Sequence, residues 1–222
     1  MEISPVAIFR SPLPGKFGIP RQAGLVPELQ GRVVFEPAFA RPEAIRGLEG
    51  FDYIWLIWGF DRSAPSSSLT VRPPRLGGNV RVGVFASRSP FRPNGLGLSS
   101  VRIGSIDAVK CEISVFGADL ADGTPIYDVK PYVEYADSHP GVRSGFVDSS
   151  IWRGLQVELP ESLSDRLDKD GREALKGLLA QDPRPQYQDD PDKIYGMAYD
   201  GLNVRFKVTG DILSVLDIED MA

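Results

Sequence analysis

"FDYIWLIWGF", residues 51 to 60, is the most aromatic stretch of this 222-residue chain, and its reading decides the fold class. Ten residues would also suit a helix. Aromatic and β-branched side chains predominate, however, and these pack best on a pleated backbone. The stretch therefore reads as a long strand buried on both faces, with Trp55 and Trp58 as core. Around it lie "SPVAIFRS" (4–11), "GRVVFEP" (31–37), "VRVGVFAS" (80–87), "SSVRIGSIDAV" (99–109) and "CEISVFGADL" (111–120), all of strong β composition and divided by Pro and Gly. "PEAIRGLEG" (42–50) reads as one short helix, with Pro42 near its start and Gly50 beyond its end. Many short strands at near-regular spacing point to a closed barrel or a sandwich.

After Tyr135 the character changes. "ADSHPGVRSGFVDSSIWRG" (136–154) is polar and without periodicity, so it reads as a linker or loop. "SLSDRLDKDGREALKGLLAQ" (162–181) has apolar residues at 163, 167, 175, 178 and 179, which fits an amphipathic helix interrupted near Gly171. Two or three antiparallel strands follow, turning at "YDGL" (199–202) and "TGD" (209–211). The expected architecture is mainly β: a barrel over residues 1–137, a linker over 138–155 and a small α+β domain over 156–222.

Hydrophobic residues at 42% and charged residues at 25% are ordinary for a soluble fold, and no apolar run approaches the ~18 residues of a membrane helix. "MEISPVAIFRSP" (1–12) does not read as a signal peptide, and the single cysteine, Cys111, has no internal disulfide partner. A cytoplasmic protein is expected. Charge is unevenly spread. Residues 62–106 carry seven arginines (Arg62, Arg72, Arg75, Arg81, Arg88, Arg92, Arg102) and no Lys, Asp or Glu, so a +7 block sits in a chain of net −5 and the remainder carries −12. If those arginines face one way they make a basic surface, and the choice of Arg over Lys suits bidentate phosphate or carboxylate binding.

Several chemistries drop out. No P-loop and no strand-linked GxGxxG is present, and "GLGLSS" (95–100) is weak as a phosphate loop. One histidine, His139, and one cysteine make a metal site or a Cys–His nucleophile pair improbable; His139 reads as a solvated loop residue. Asp119, Asp122 and Asp128 cluster in a stretch rich in turn residues, where a pair could serve acid–base work or simply shape turns. What is left suits either group transfer from an activated donor, where the protein supplies alignment, or a nucleic-acid-binding module without catalysis.

Four stretches, "GIPRQAGL" (18–25), "TVRPPRLGGNVRVGVFASRSPFRPNGLGLSS" (70–100), "DLADGTPIYDVKPY" (119–132) and "AQDPRPQY" (180–187), together resemble the TsaA/TrmO-type tRNA methyltransferases. The likeness runs over nearly the whole chain. It departs at Ala23, where the family has Pro, and at Gly95-Leu96, where it has Pro-Ile. The resemblance implies a homodimeric antiparallel β-barrel enzyme. Such an enzyme uses S-adenosylmethionine to methylate N6 of threonylcarbamoyl-adenosine at position 37, and so binds the tRNA anticodon arm. By matched positions, it implies a donor site made of Arg21, Gln22, Ala23, Asp61, Arg62, Arg88, Ser100, Asp122, Gly123, Thr124 and Pro125. Arg92, Asn94 and Lys130 are expected to meet tRNA, with Arg92 outward on a proline-stiffened loop. Asp128, Lys130 and Tyr132 alternate along their strand, and Asp128 and Tyr132 are the candidates for removing the N6 proton. No metal is expected. A noncatalytic tRNA-binding protein on the same barrel is the alternative.

Overall fold

A computed structural model describes residues 2–63, 66, 68–149, 154–185 and 190–221, with the side chain of Arg75 left aside. Gln186 and Tyr187 of the fourth motif lie outside these residues. Strands β1 (Ala7–Arg10), β2 (Gln30–Phe35) and β3 (Tyr53–Gly59) belong to the barrel, whereas β4 (Thr70–Val71) and β5 (Val82–Gly83) form a separate two-residue ribbon. The barrel is completed by β6 (Leu96–Asp107), β7 (Glu112–Phe116) and β8 (Pro125–Pro131), closed in the order β1-β2-β7-β6-β3-β8 with every pair antiparallel.

β3 lies between β6 and β8, and its side chains alternate. Ile54, Leu56 and Trp58 are buried inside the barrel with Phe9, Val33, Val101, Ile113, Val115 and Ile126. A barrel this narrow is filled by side chains, and each such residue contributes roughly 1.5–3 kcal/mol by leaving water. Tyr53, Trp55 and Ile57 face outward, so β3 is buried on one face where the sequence suggested two. The reason is closure: one face of every strand looks inward, and the other is covered only where something packs on it. Trp55 stands opposite Ser100 on β6 and Lys130 on β8.

"VRVGVFAS" makes only the two residues of β5 before a 3-10 turn, Val84–Ala86. Its carbonyls are taken by side chains instead of a neighbouring strand. The Ser87 hydroxyl donates to Val84 O at 2.8 Å, and Arg92 Nη1 donates to Ser87 O at 2.7 Å.

The second unit is a four-stranded sheet in the order β10-β11-β12-β9, made of β9 (Gln156–Glu158), β10 (Tyr195–Tyr199), β11 (Leu202–Thr209) and β12 (Ile212–Asp220). Three strands are antiparallel, turning at Asp200-Gly201 and Gly210-Asp211 as expected; the parallel β9 was not foreseen. A helix, Lys169–Ala180, covers the sheet with Ala174, Leu175, Leu178 and Leu179 buried. The helical pattern breaks at Asp165–Asp168, earlier than Gly171, because Asp168 caps the helix by accepting the Gly171 N–H at 2.7 Å. Leu13, Val26 and Leu29, from the connection between β1 and β2, are buried in this second core. Gly18 in that connection approaches so closely that a Cβ would lie 2.4 Å from Met197 Sδ.

Candidate active site

One connection therefore touches both units. Its far side lines a cavity of about 590 Å³ bounded by β3 and β6. The wall from β3 and β6 is Trp55, Trp58 and Gly97 to Ser100; the other walls are drawn from the loops around residues 19–23, 59–63, 87–92 and from 119–121 with Thr124. Glycine at 97 is required by close approach: a Cβ there would lie 2.3 Å from Trp58 Cε2. The bend at Gly95, at φ 58, is one that a proline cannot adopt.

Charge converges on this cavity. Lys16, Arg21, Arg62, Arg88 and Arg92 line it, against Asp61 and Asp119. Arg62 and Arg88 are anchored by neighbouring loops. Arg62 donates to the carbonyls of Pro14 and Asp122, and Arg88 donates to the Gln22 amide oxygen. Arg92 is turned back on its own loop, binding Ser87 O and Val84 O and lying 6.0 Å from the centre of the Phe85 ring. It is a loop staple and not the outward residue that the flanking prolines suggested. The seven arginines do not share one face, since Arg102 sits 4.4 Å over the Phe116 ring and Arg81 bonds Thr70.

Along the cavity wall runs a polar chain, with Trp58 and Ser99 buried and Asp119 half-buried. Trp58 Nε1–H donates to Ser99 Oγ at 2.9 Å, and Ser99 Oγ–H donates to Asp119 Oδ1 at 2.5 Å. Burial pushes the Asp119 carboxyl above its ordinary value. The Ser99 hydroxyl, the peptide N–H groups of Asp119 and Ala23 and the charge of Arg88 offset this only in part.

Among the residues expected at the donor site, Arg21, Gln22, Ala23, Asp61, Arg62, Arg88, Ser100 and Thr124 line the cavity. Asp122, Gly123 and Pro125 stand behind it as the turn. The Asp122 carboxylate accepts the Ser11 N–H and pairs with Arg10 at 3.7 Å, and Gly123 has φ 79. Thr124 is buried and donates its hydroxyl to Ala121 O. Asp128 lies on the outer face of β8, bonded to Lys130 Nζ at 3.0 Å; Tyr132 packs on Tyr53 and Trp55. Neither these three nor Asn94 lines the cavity. Of the other lining residues, Asp119 stands out in the sequence only as one of three clustered carboxylates, while Ser99, Lys16 and the two tryptophans do not read as site residues. For Trp55 the signal existed, because strict alternation along β3 puts it opposite Trp58's face.

The family model for the tRNA-methyltransferase O N-terminal domain matches residues 8–138, and that for the TrmO C-terminal domain matches residues 154–221. The chain belongs to the TrmO family. An Escherichia coli protein named tRNA (adenine(37)-N6)-methyltransferase is 35% identical over 225 residues, 96% of each chain. A Pseudomonas aeruginosa protein named as a candidate S-adenosylmethionine-dependent methyltransferase is 40% identical over 97% of this chain and 96% of its own. The crystal structure of TrmO from Pseudomonas aeruginosa matches with a TM-score of 0.81 at 33% identity, covering 98% of this chain and 97% of that one. Among the described residues of this TrmO-family chain, no helix is long and apolar enough to cross a membrane. The cavity suits the methyl donor that the family's chemistry calls for. Its volume is within the usual range for such ligands, guanidinium groups can take a carboxylate, and the tryptophan wall offers apolar area.

Proposed function

We propose that this chain is an S-adenosylmethionine-dependent tRNA (adenine(37)-N6)-methyltransferase, acting on the threonylcarbamoyl-modified adenine that the motif resemblance implies. The observation that carries the reading is the convergence of Arg21, Gln22, Ala23, Asp61, Arg62, Arg88 and Ser100 on one cavity in a chain of this family. When bound there, the donor supplies a methyl group on a sulfonium. The protein's own part is to hold the donor's carboxylate on guanidinium groups, to meet its ammonium or ribose hydroxyls with the carboxylate of Asp61, and to close the site with Thr124 on the turn Asp122–Pro125. The substrate adenine must leave its stack to reach the cavity, which a stem-loop end permits at low cost. Asn94 and Lys130, outside the cavity, meet the anticodon arm in this reading.

The enzyme works as a homodimer in the cytoplasm. Exposed Phe85, Phe91, Leu96 and Leu98 near the cavity mouth supply apolar surface for a second copy to cover. Mass spectrometry of tRNA nucleosides from cells with and without the protein tests the reading, together with calorimetric titration by S-adenosylmethionine. N6-methylated adenosine at position 37 should vanish with the protein. Unchanged nucleosides would refute the reading, and tRNA binding without turnover would leave the noncatalytic alternative.

A further inference from the structure

Methylating N6 requires that nitrogen to lose a proton, and its lone pair is delocalised into the purine, so proton removal is a real part of the barrier. The proton-accepting side chains of the cavity are few. Lys16, Arg21, Arg62, Arg88 and Arg92 are cations, and no histidine or tyrosine is among the described lining residues. Two carboxylates are left, Asp61 and Asp119. Asp61 is exposed in the turn after β3, whereas Asp119 is held by Ser99.

We propose that Asp119 is the catalytic residue that takes the N6 proton, an assignment that rests on the methyltransferase reading above. The polar chain fixes which oxygen does so. An indole N–H can only donate, so Ser99 Oγ must accept from Trp58 and turn its own hydrogen to Asp119 Oδ1. Oδ1 therefore carries no proton, and Oδ2 receives the one from N6. In the balanced step the S–CH3 bond breaks with its electron pair staying on sulfur while the N6–CH3 bond forms. The N6–H pair stays on nitrogen as the proton passes to Asp119, which later releases it to water. The elevated carboxyl makes a stronger base than an exposed aspartate, as this role needs. The charges sharing the cavity are Lys16, Arg21, Asp61, Arg62, Arg88 and Arg92, of which Arg88 acts on Asp119.

The test uses full-length protein with S-adenosylmethionine and tRNA from cells lacking it. Single-turnover methyl transfer is followed across pH, donor and tRNA affinities are measured separately, and carboxyl titrations are read by 13C NMR without donor. Asp119→Asn should lose about 10²- to 10⁴-fold in rate and keep both affinities within about threefold, as a neutral isostere of a group that acts on the proton alone. In Ser99→Ala the loss of a pKa-lowering hydrogen bond should move the Asp119 titration, and the acidic limb of the rate profile, to higher pH. The NMR shift compares wild type with Ser99→Ala and does not depend on Asp119→Asn folding. A parallel fall of donor affinity and rate in Asp119→Asn would make Asp119 a binding residue and overturn the proposal. So would retention of rate, or a limb that stays put in Ser99→Ala. Wild-type protein that neither binds donor nor methylates tRNA would remove the parent reading, and this one with it, before any variant is compared.

Discussion

Replacing Gly97 by alanine is the sharpest probe of how the barrel holds the cavity. The added Cβ would lie 2.3, 2.5 and 2.6 Å from three atoms of the Trp58 indole, distances at which something must move. Trp58 has little room, being 7% exposed and packed edge-on against Phe60 at 4.3 Å between ring centres. Overpacking of this kind costs about 1–3 kcal/mol, and displacing the indole also breaks its bond to Ser99, adding about 1 kcal/mol. The sum, ~2–4 kcal/mol, corresponds to a fall in Tm of roughly 4–16 °C for a chain of this length. Donor affinity should fall too, since Trp58 and Gly97 both line the cavity. Gly50→Ala is the control: nothing lies within 4 Å of a Cβ there, and its Tm should stay within about 2 °C. Calorimetric melting of the three proteins decides the matter. An equal Tm for wild type and Gly97→Ala would mean that the indole is not confined as described.

Asp119→Asn should melt higher than wild type at pH 7. The folded carboxyl is raised above its unfolded value, so its stabilising contribution is full at low pH and is lost as pH rises through the raised value; the gain in Tm should shrink toward pH 4 in a melting series. Calorimetric titration should show Arg88→Ala losing about 10- to 150-fold in S-adenosylmethionine affinity, from the ~1.5–3 kcal/mol of a charge-assisted contact, while Arg102→Ala, whose guanidinium lies over Phe116, stays near wild type. Arg92→Ala frees the carbonyls of Val84 and Ser87, so both donor and tRNA affinities should drop; a loss confined to tRNA would restore the outward placement. Light scattering across a tenfold dilution should hold at twice the chain mass, and a monomer at every concentration would refute the dimer.

The barrel was legible because its strands alternate or are rich in branched residues, as "CEISVFG" and "SSVRIGSID" are, and alternation is a local property. "VRVGVFAS" misled because composition cannot report that Ser87 and Arg92 will claim its carbonyls. The loops that line the cavity were legible as motifs, and Asp122 and Gly123 form the turn that their local sequence suggested. The inward turn of Arg92 and the standing of Asp119 among the three clustered carboxylates were not, for opposite reasons. Prolines stiffen a backbone without saying where a long side chain turns, and Asp119 owes its character to Ser99 and Trp58, 20 residues and more away in sequence. The same holds for Leu13, Val26 and Leu29: hydrophobic spacing shows that they are buried, not which of two cores receives them.

Val26 also meets the helix of the second unit, where a Cβ on Gly177 would lie 2.8 Å from Val26 Cγ1. With Gly18 against Met197, this fastens the cavity-lining loop to chain made some 150 residues later. During synthesis the barrel strands can pair before the ribosome has released the partner of that loop, so the loop acquires its final seat last. Evolution inherits the same bond: a larger residue at 177 is admissible only with a smaller one at 26, and the two positions should drift together.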